Sequence, residues 1–479
     1  MSASLETIVA APDRSSHWRR RWRLLLAAAR GSHDQDYTEG PIGRSIVLLA
    51  VPMVLEMAME SVFAVADVFY VAHLGAAAVA TVGLTESLMT LVYTLAMGLA
   101  IGATALVSRR IGEHDRDGAA RTAVQVLALG VLLSIVLGIV GAAAAPELLS
   151  LLGADATIRA SGSAFARVML AGCASVFLLF LANAVLRGAG DAASAMRALW
   201  LGNAINIVLA PLLIFGPGPL PALGVLGAGI ATVTGRSIGV AYAIVRLTRP
   251  GGRLAIARRH LALAPSIMVR LVRLSSAGTF QVLVGSASWI ALVRILAGFG
   301  PATLAANTIA MRTVMFALLP AWGLSSAAAT LVGQSLGAGK PERAEAAVWR
   351  AALYNLAFLG SVGVVFLAFA SPIVHVFTDD PVVVREATTA LRIVALGFPC
   401  YAYGMVLTHA FNGAGDTWTP TRINLALFWA TELPLAWLLA RHTPLGPAGV
   451  FVSIAFCFSA LAGVSALLFR RGGWKTRAV

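Results

Sequence analysis

Residues Pro52–Gly75 read PMVLEMAMESVFAVADVFYVAHLG, a long apolar run that holds Glu56, Glu60 and Asp67 but no Lys or Arg. At about 100° per residue on a helix, Glu60 lies about 40° from Glu56, and Asp67 about 20° from both. The three carboxyl groups therefore share one narrow stripe. A carboxylate facing lipid costs roughly 2.5–3.5 kcal/mol on insertion scales, so the stripe must face a protein interior or a water-filled cavity. A carboxylate held at a helix end for packing explains any one of the three, but not the set. The stripe reads as a cation or proton site inside a membrane protein, with Glu56 and Glu60 placed to relay a proton from Asp67.

Composition points the same way. Of 479 residues 58% are hydrophobic and 12% charged, and the mean hydropathy is +0.82. An ordinary soluble domain is excluded. At roughly 20–25 residues per span the chain holds about twelve membrane helices. The alternation of a β-barrel strand is absent. The net charge of +14 would suit nucleic acid, but the basic residues sit between apolar runs and in alternate gaps. That is the positive-inside pattern of a polytopic inner-membrane protein in a lipid bilayer, and no nucleic-acid partner is expected. Cys173, Cys400 and Cys457 all lie in apolar runs, which argues against a disulfide framework or a cysteine metal site.

Residues 1–44 are expected to form a cytoplasmic basic tail, with Arg19, Arg20, Arg21, Arg23 and Arg30 available to anionic lipid. Span 1 is expected at about 45–72 and span 2 at about 77–107. The gap between them carries no Lys or Arg and should be external, whereas SRRIGEHDRDGAAR (108–121) should be cytoplasmic. Spans 1–6 fill 45–246, and a basic cytoplasmic linker runs over 247–270. Spans 7–12 fill 271–470, with span 7 starting near 275, and 471–479 form a second cytoplasmic tail.

The second half repeats the first. LVSRRIG at 106–112 returns as LVGQSLG at 331–337, an offset of 331 − 106 = 225. LRGAGD at 186–191 returns as FNGAGD at 411–416, and Gly75 returns as Gly300, both again by 225. A period this long denotes two homologous six-helix bundles in parallel orientation. Transporters built this way hold substrate between the halves and rock them.

These blocks resemble the multidrug and toxic compound extrusion (MATE) family. The likeness rests on Pro52 with Asp67, then HLGAAAVATVGL, LVSRRIG, VLRGAGD, GNAINIVL (202–209), LAANTIAMR, LVGQSLGAGKPERA and FNGAGDTWTPT. It implies a V-shaped pair of six-helix lobes around a cleft, and efflux of bulky, often cationic organic compounds driven by inward Na⁺ or H⁺. Asp67 matches the family's span 1 aspartate, a cation-coupling group. Asn183, Asn203 and Asn206 fall on helices that complete such a site. The branch described as Na⁺-coupled carries a span 7 glutamate, where this chain has Gln281. The chain is therefore more similar to the branch associated with DNA-damage-inducible genes, for which proton coupling is preferred over Na⁺ at Asp67.

Other residues support several readings. Glu432 is the only acid inside span 11 and is read either as a cleft contact to a cationic substrate or as a boundary carboxylate. Met57, Phe63 and Gln281 are cleft candidates, since soft Met and flat aromatic rings suit varied planar cations. Arg294 and Arg312 read as inter-helix structural groups, and Arg187 and Asp191 as a loop ion pair or helix cap. No GxxxxGK[ST] or HExxH pattern appears, so neither direct ATP use nor an enzyme site is expected, and no cofactor beyond the coupling ion. A monomer is expected. The competing transport reading is a flippase for lipid-linked saccharides, whose cleft should carry several buried cations.

Overall fold

The computed structural model describes residues 23–31, 35–216, 218 and 221–477. Twelve helices long and apolar enough to cross a membrane account for most of them. In order they are α1 (Ile42–Ala72), α2 (Ala76–Gly112), α3 (Arg116–Ala143), α4 (Gly162–Gly188), α5 (Ala192–Phe215) and α6 (Val225–Thr248). The second half holds α7 (Pro265–Ala297), α8 (Pro301–Gly337), α9 (Pro341–His375), α10 (Pro381–Gly413), α11 (Trp418–His442) and α12 (Ala448–Arg470).

The duplication is written into the turns. Gly75 (φ +94°) and Gly300 (φ +106°) precede α2 and α8, and Gly190 (φ +84°) and Gly415 (φ +82°) precede the α5 and α11 turns. Each pair is 225 residues apart and occupies backbone space that side chains other than glycine disfavour. Asp191 then caps α5 by accepting from the Ser194 N–H, and its counterpart Asp416 accepts from the Thr419 hydroxyl at 2.7 Å. Asp191 is thus a helix cap. It also faces Arg246 at 3.7 Å.

Apolar side chains from α1–α6 build one core, and those from α7–α12 a second. A third joins the lobes: Ile46, Leu49 and Met53 of α1 pack with Leu331 and Val332 of α8 and Phe411 of α10. Small residues bring the lobes together. A Cβ on Gly112 would collide with the Gln334 carbonyl, one on Gly337 with that of Arg109, and one on Gly102 with Ser275 Oγ at 2.6 Å. All three glycines lie in the C-terminal halves of α2 and α8. Gln334 Nε2 also donates to the Gly188 carbonyl at 2.9 Å, and Thr330 Oγ1 to that of Arg187 at 3.2 Å.

One boundary departs from the sequence reading. Helix α7 begins at Pro265, so residues 265–270 of the expected linker are helical. Proline at the first helical turn and burial of Leu271 start the helix early, and its basic residues do not stop it. The described part of the basic tail is held against the rest of the protein. Residues 23–30 are helical, and Arg343 donates to the carbonyls of Tyr37, Glu39 and Gly40, tying that segment to the second lobe. Arg253 Nη2 donates to the Gln35 carbonyl, tying it to the linker. Arg19, Arg20 and Arg21 lie outside the described residues.

Candidate functional site

Helix α1 carries its acid stripe into the first lobe. Glu56 is 1% exposed; its Oε1 accepts from Arg187 Nη1 at 2.7 Å and from Asn183 Nδ2 at 3.0 Å. Arg187 therefore does not form a loop pair with Asp191. It reaches back from the end of α4 to neutralise the lowest acid of the stripe. One turn further along, Glu60 Oε2 accepts from Asn203 Nδ2 at 3.0 Å, and its Oε1 lies 3.5 Å from Arg236 Nη2. Trp200 Nε1 donates to the Leu55 carbonyl at 2.9 Å, fixing α5 against this part of α1.

Asp67 stands eleven residues beyond Glu56, roughly 16 Å along the axis at 1.5 Å per residue. It lines a cavity with Glu86, Tyr93, Phe63, Thr232 and Arg236. Met89, Phe165 and Met169 supply further apolar wall. Asn206 does not reach a carboxylate; its Nδ2 donates to Thr232 Oγ1 at 2.9 Å and so sets the hydroxyl on the cavity wall. The stripe thus makes three separate contacts: Glu56 with Asn183 and Arg187, Glu60 with Asn203 and Arg236, and Asp67 with the cavity.

Arg236 and Glu86 were not singled out in the sequence. Arg236 is 5% exposed, and its guanidinium sits 5.7 Å from the Phe63 ring centre and 5.6 Å from that of Tyr93. Close packing of α5 on α6 places it there: a Cβ on Gly202 would lie 2.9 Å from the Gly235 carbonyl oxygen. An ionisable residue in mid-span is itself a functional signal, which applied as well to Arg236 within TGRSIG and to Glu86 within TESLMT. Both are single charges without a stripe to mark them.

The remaining candidates are dispersed. Met57 is half-buried outside the cavity, and Phe63 is part of its wall. Gln281 is buried on α7 with Oε1 unpartnered. Glu432 is 3% exposed at the end of a π-helical stretch, Leu425–Glu432, within α11 of the other lobe. Arg294 and Arg312 are exposed and hold no hydrogen bond or ion pair among the described residues. Among the described residues no cluster of His, Cys, Asp and Glu has the makings of a metal centre.

The MatE family model matches residues 52–212 and 279–438, once in each lobe. The chain is 27% identical over 448 residues to a probable multidrug resistance protein NorM of Thermotoga maritima, covering 91% of this chain and 94% of that one. It is 28% identical over 408 residues to an FAD transporter of Shewanella oneidensis, covering 83% and 88%. Its fold superposes with a TM-score of 0.86 on the crystal structure of MATE in complex with MaL6, at 26% identity and over 92% of this chain and 99% of that one. A second match, also at 0.86 and 26%, is the outward-facing conformation of a multidrug resistance MATE family transporter of the MOP superfamily. With the family model matched across two thirds of its length and twelve spans in two repeated bundles, this chain belongs to the MatE family of transporters.

Proposed function

We infer that the protein is a secondary active multidrug exporter, which moves organic and often cationic compounds outward in exchange for protons by alternating access. The observation that carries this reading is the cavity that joins Asp67 and Glu86 to Phe63, Tyr93 and Met89. Carboxylates attract a cation, and aromatic and methionine walls accept varied ring shapes. A proton on Asp67 removes the charge that holds such a cation, so the two compete, and competition for one site is sufficient for exchange. The proton drives the cycle only by binding the two access states with different affinity. Glu60 and Glu56 offer a route inward along the same stripe.

On this reading the exporter lies in the inner membrane as a monomer with both termini cytoplasmic, and the α1–α6 and α7–α12 lobes rock about the glycine-rich seam. The seam closes the side of the termini, which supports an outward-open state. The absence of an acid at Gln281 supports the DNA-damage-inducible branch and protons over Na⁺. Arg236 lies against Glu60 and Arg187 against Glu56, so neither of these cations stands free for a pyrophosphate as a flippase would require.

The test is ethidium transport in vesicles, with ΔpH and ΔNa⁺ imposed separately. Transport driven by ΔpH without Na⁺ is expected. Transport that follows ΔNa⁺ and ignores ΔpH overturns the proton assignment, and lack of any drug movement under either gradient overturns the exporter reading.

A further inference from the structure

The side of the termini carries more than the glycine seam. Residues 35–40 run across it just ahead of α1. Tyr37 is 3% exposed; its hydroxyl donates to the Gly190 carbonyl at 3.4 Å, and the Arg253 guanidinium sits 4.9 Å from its ring centre. Arg253 also donates to the Ala189 carbonyl at 3.1 Å and to that of Gln35. These contacts seat the segment on the first lobe. Arg343, in the first turn of α9, holds it from the second lobe. It donates to the Tyr37 carbonyl at 3.0 Å and to those of Glu39 and Gly40 at 2.8 Å. Lys340 Nζ donates to the Thr38 carbonyl at 3.2 Å and lies 3.4 Å from Glu39 Oε1. Asp36 keeps the segment in shape, because its Oδ1 accepts from the Thr38 N–H at 2.8 Å and from the Thr38 hydroxyl at 2.7 Å.

The C-terminal segment makes the converse crossing. Trp474 is 1% exposed and stacks on Phe469 of α12, and Lys475 Nζ meets Glu345 Oε2 of α9 at 2.6 Å, so this segment is seated on the second lobe. Arg477 lies 3.4 Å from Asp416, and its carbonyl accepts from Arg109 at the end of α2 in the first lobe. One segment thus sits at the GAGD turn of residues 188–191 and reaches the second lobe. The other sits at the repeated GAGD turn, residues 413–416, and reaches the first.

We propose that residues 35–40 are a strap that latches the two lobes together on the side of the termini, and that this side opens only when the strap lets go of Arg343 and Lys340. The latch rests on the alternating-access reading above and adds an element that sets its equilibrium. The strap is continuous with α1 and moves with the first lobe, whereas Arg343 and Lys340 move with the second. Parting the lobes along the glycine seam separates the two sets. A guanidinium holds its acceptors through a rigid planar fork, so the bonds from Arg343 are lost together once the three carbonyls shift. Glu39 and Gly40 are exposed, and water takes over their carbonyls on release, which keeps the latch reversible in every cycle. Such a device shifts the population of access states by the difference in bonding between them.

Ser108 reads the seam, since it is fully buried on α2 and a Cβ on Gly333 of α8 would collide with its hydroxyl. In purified protein carrying Ser108→Cys and Cys400→Ala, the rate of reaction with a water-soluble maleimide measures opening on that side. Adding Arg343→Gln should raise this rate by roughly fivefold or more, the weight of one net hydrogen bond. Cys173, buried in the first-lobe core, should stay unlabelled and so report an intact fold. Should Arg343→Gln expose Cys173, Lys340→Gln takes its place with the same expected rise. In a separate protein, Glu39→Cys and Lys340→Cys joined by a short bis-maleimide tie the strap to the second lobe. Ethidium transport in vesicles should then stop, whereas each single-cysteine variant treated alike should still transport. An unchanged labelling rate, or transport by the cross-linked protein at the single-cysteine rate, overturns the latch and leaves the exporter reading standing. If wild-type vesicles move no dye under either gradient, the exporter reading falls and the labelling rates alone decide the latch.

Discussion

Arg187 Nη1 donates to Glu56 Oε1 at 2.7 Å, joining the end of α4 to the middle of α1 where Glu56 is 1% exposed. Such a buried pair is strongly destabilising when only one partner is removed, by roughly 3–5 kcal/mol, and much less so when both are replaced. Arg187→Met should therefore lower the thermal stability of the detergent-purified protein sharply. Glu56→Gln combined with Arg187→Met should recover most of the loss. A double variant as unstable as Arg187→Met would show that the pair is not an isolated unit.

Asp67→Asn should abolish drug export while insertion and yield stay at wild-type levels. Asp67 has no hydrogen-bond partner among the described residues, and it contributes its charge to a cavity rather than to packing. Glu60→Gln should slow ΔpH-driven export less, because Glu60 already has Asn203 and Arg236 as partners. Full export by Asp67→Asn at equal expression would remove Asp67 from the mechanism.

Topology is checked with single cysteines. Ala77 and Glu113 are both exposed and stand at opposite ends of α2. Ala77→Cys should react with an impermeant maleimide from outside, and Glu113→Cys only after the membrane is opened. The native cysteines Cys173 and Cys457 are buried and Cys400 is half-buried, so Cys400→Ala is a prudent background. The reverse labelling pattern would invert the orientation drawn from the basic gaps.

The spans and the duplication were legible because both rest on local pattern. Hydropathy marks a helix wherever it packs, and the glycines at 75, 190, 300 and 415 mark turns whose backbone they alone favour. The acid stripe was legible for the same reason, since 3.6-residue periodicity places Glu56, Glu60 and Asp67 together. Their partners were not. Arg236 meets Glu60 across 236 − 60 = 176 residues, and that pairing depends on how α6 rotates against α5 and α1. The same rotation decides that Asn183 serves Glu56 and that Asn206 turns to Thr232. The early start of α7 was missed because Arg270 and Arg273 read as loop, whereas on a helix near the membrane surface their long side chains reach water while their stems pack.

The glycine seam between the lobes carries the last expectation. Gly112 faces the Gln334 carbonyl so closely that any Cβ must push α2 and α8 apart. Gly337 faces the carbonyl of Arg109 in the same way from the other lobe, so the contact is reciprocal. Overpacking of this kind costs typically about 1–3 kcal/mol, and here the strain falls on one access state alone, the one closed at the termini. Gly112→Ala should therefore shift the population towards opening on that side. Spin labels at Glu113 and Lys340, which flank the seam, should report a longer distance in the variant, and export should fall because the outward-open state is harder to reach. Gly360→Ala is the control, since nothing lies within 4 Å of its Cβ. An unchanged label distance in Gly112→Ala, with export at the rate of the control, would mean that the lobes do not part along this seam.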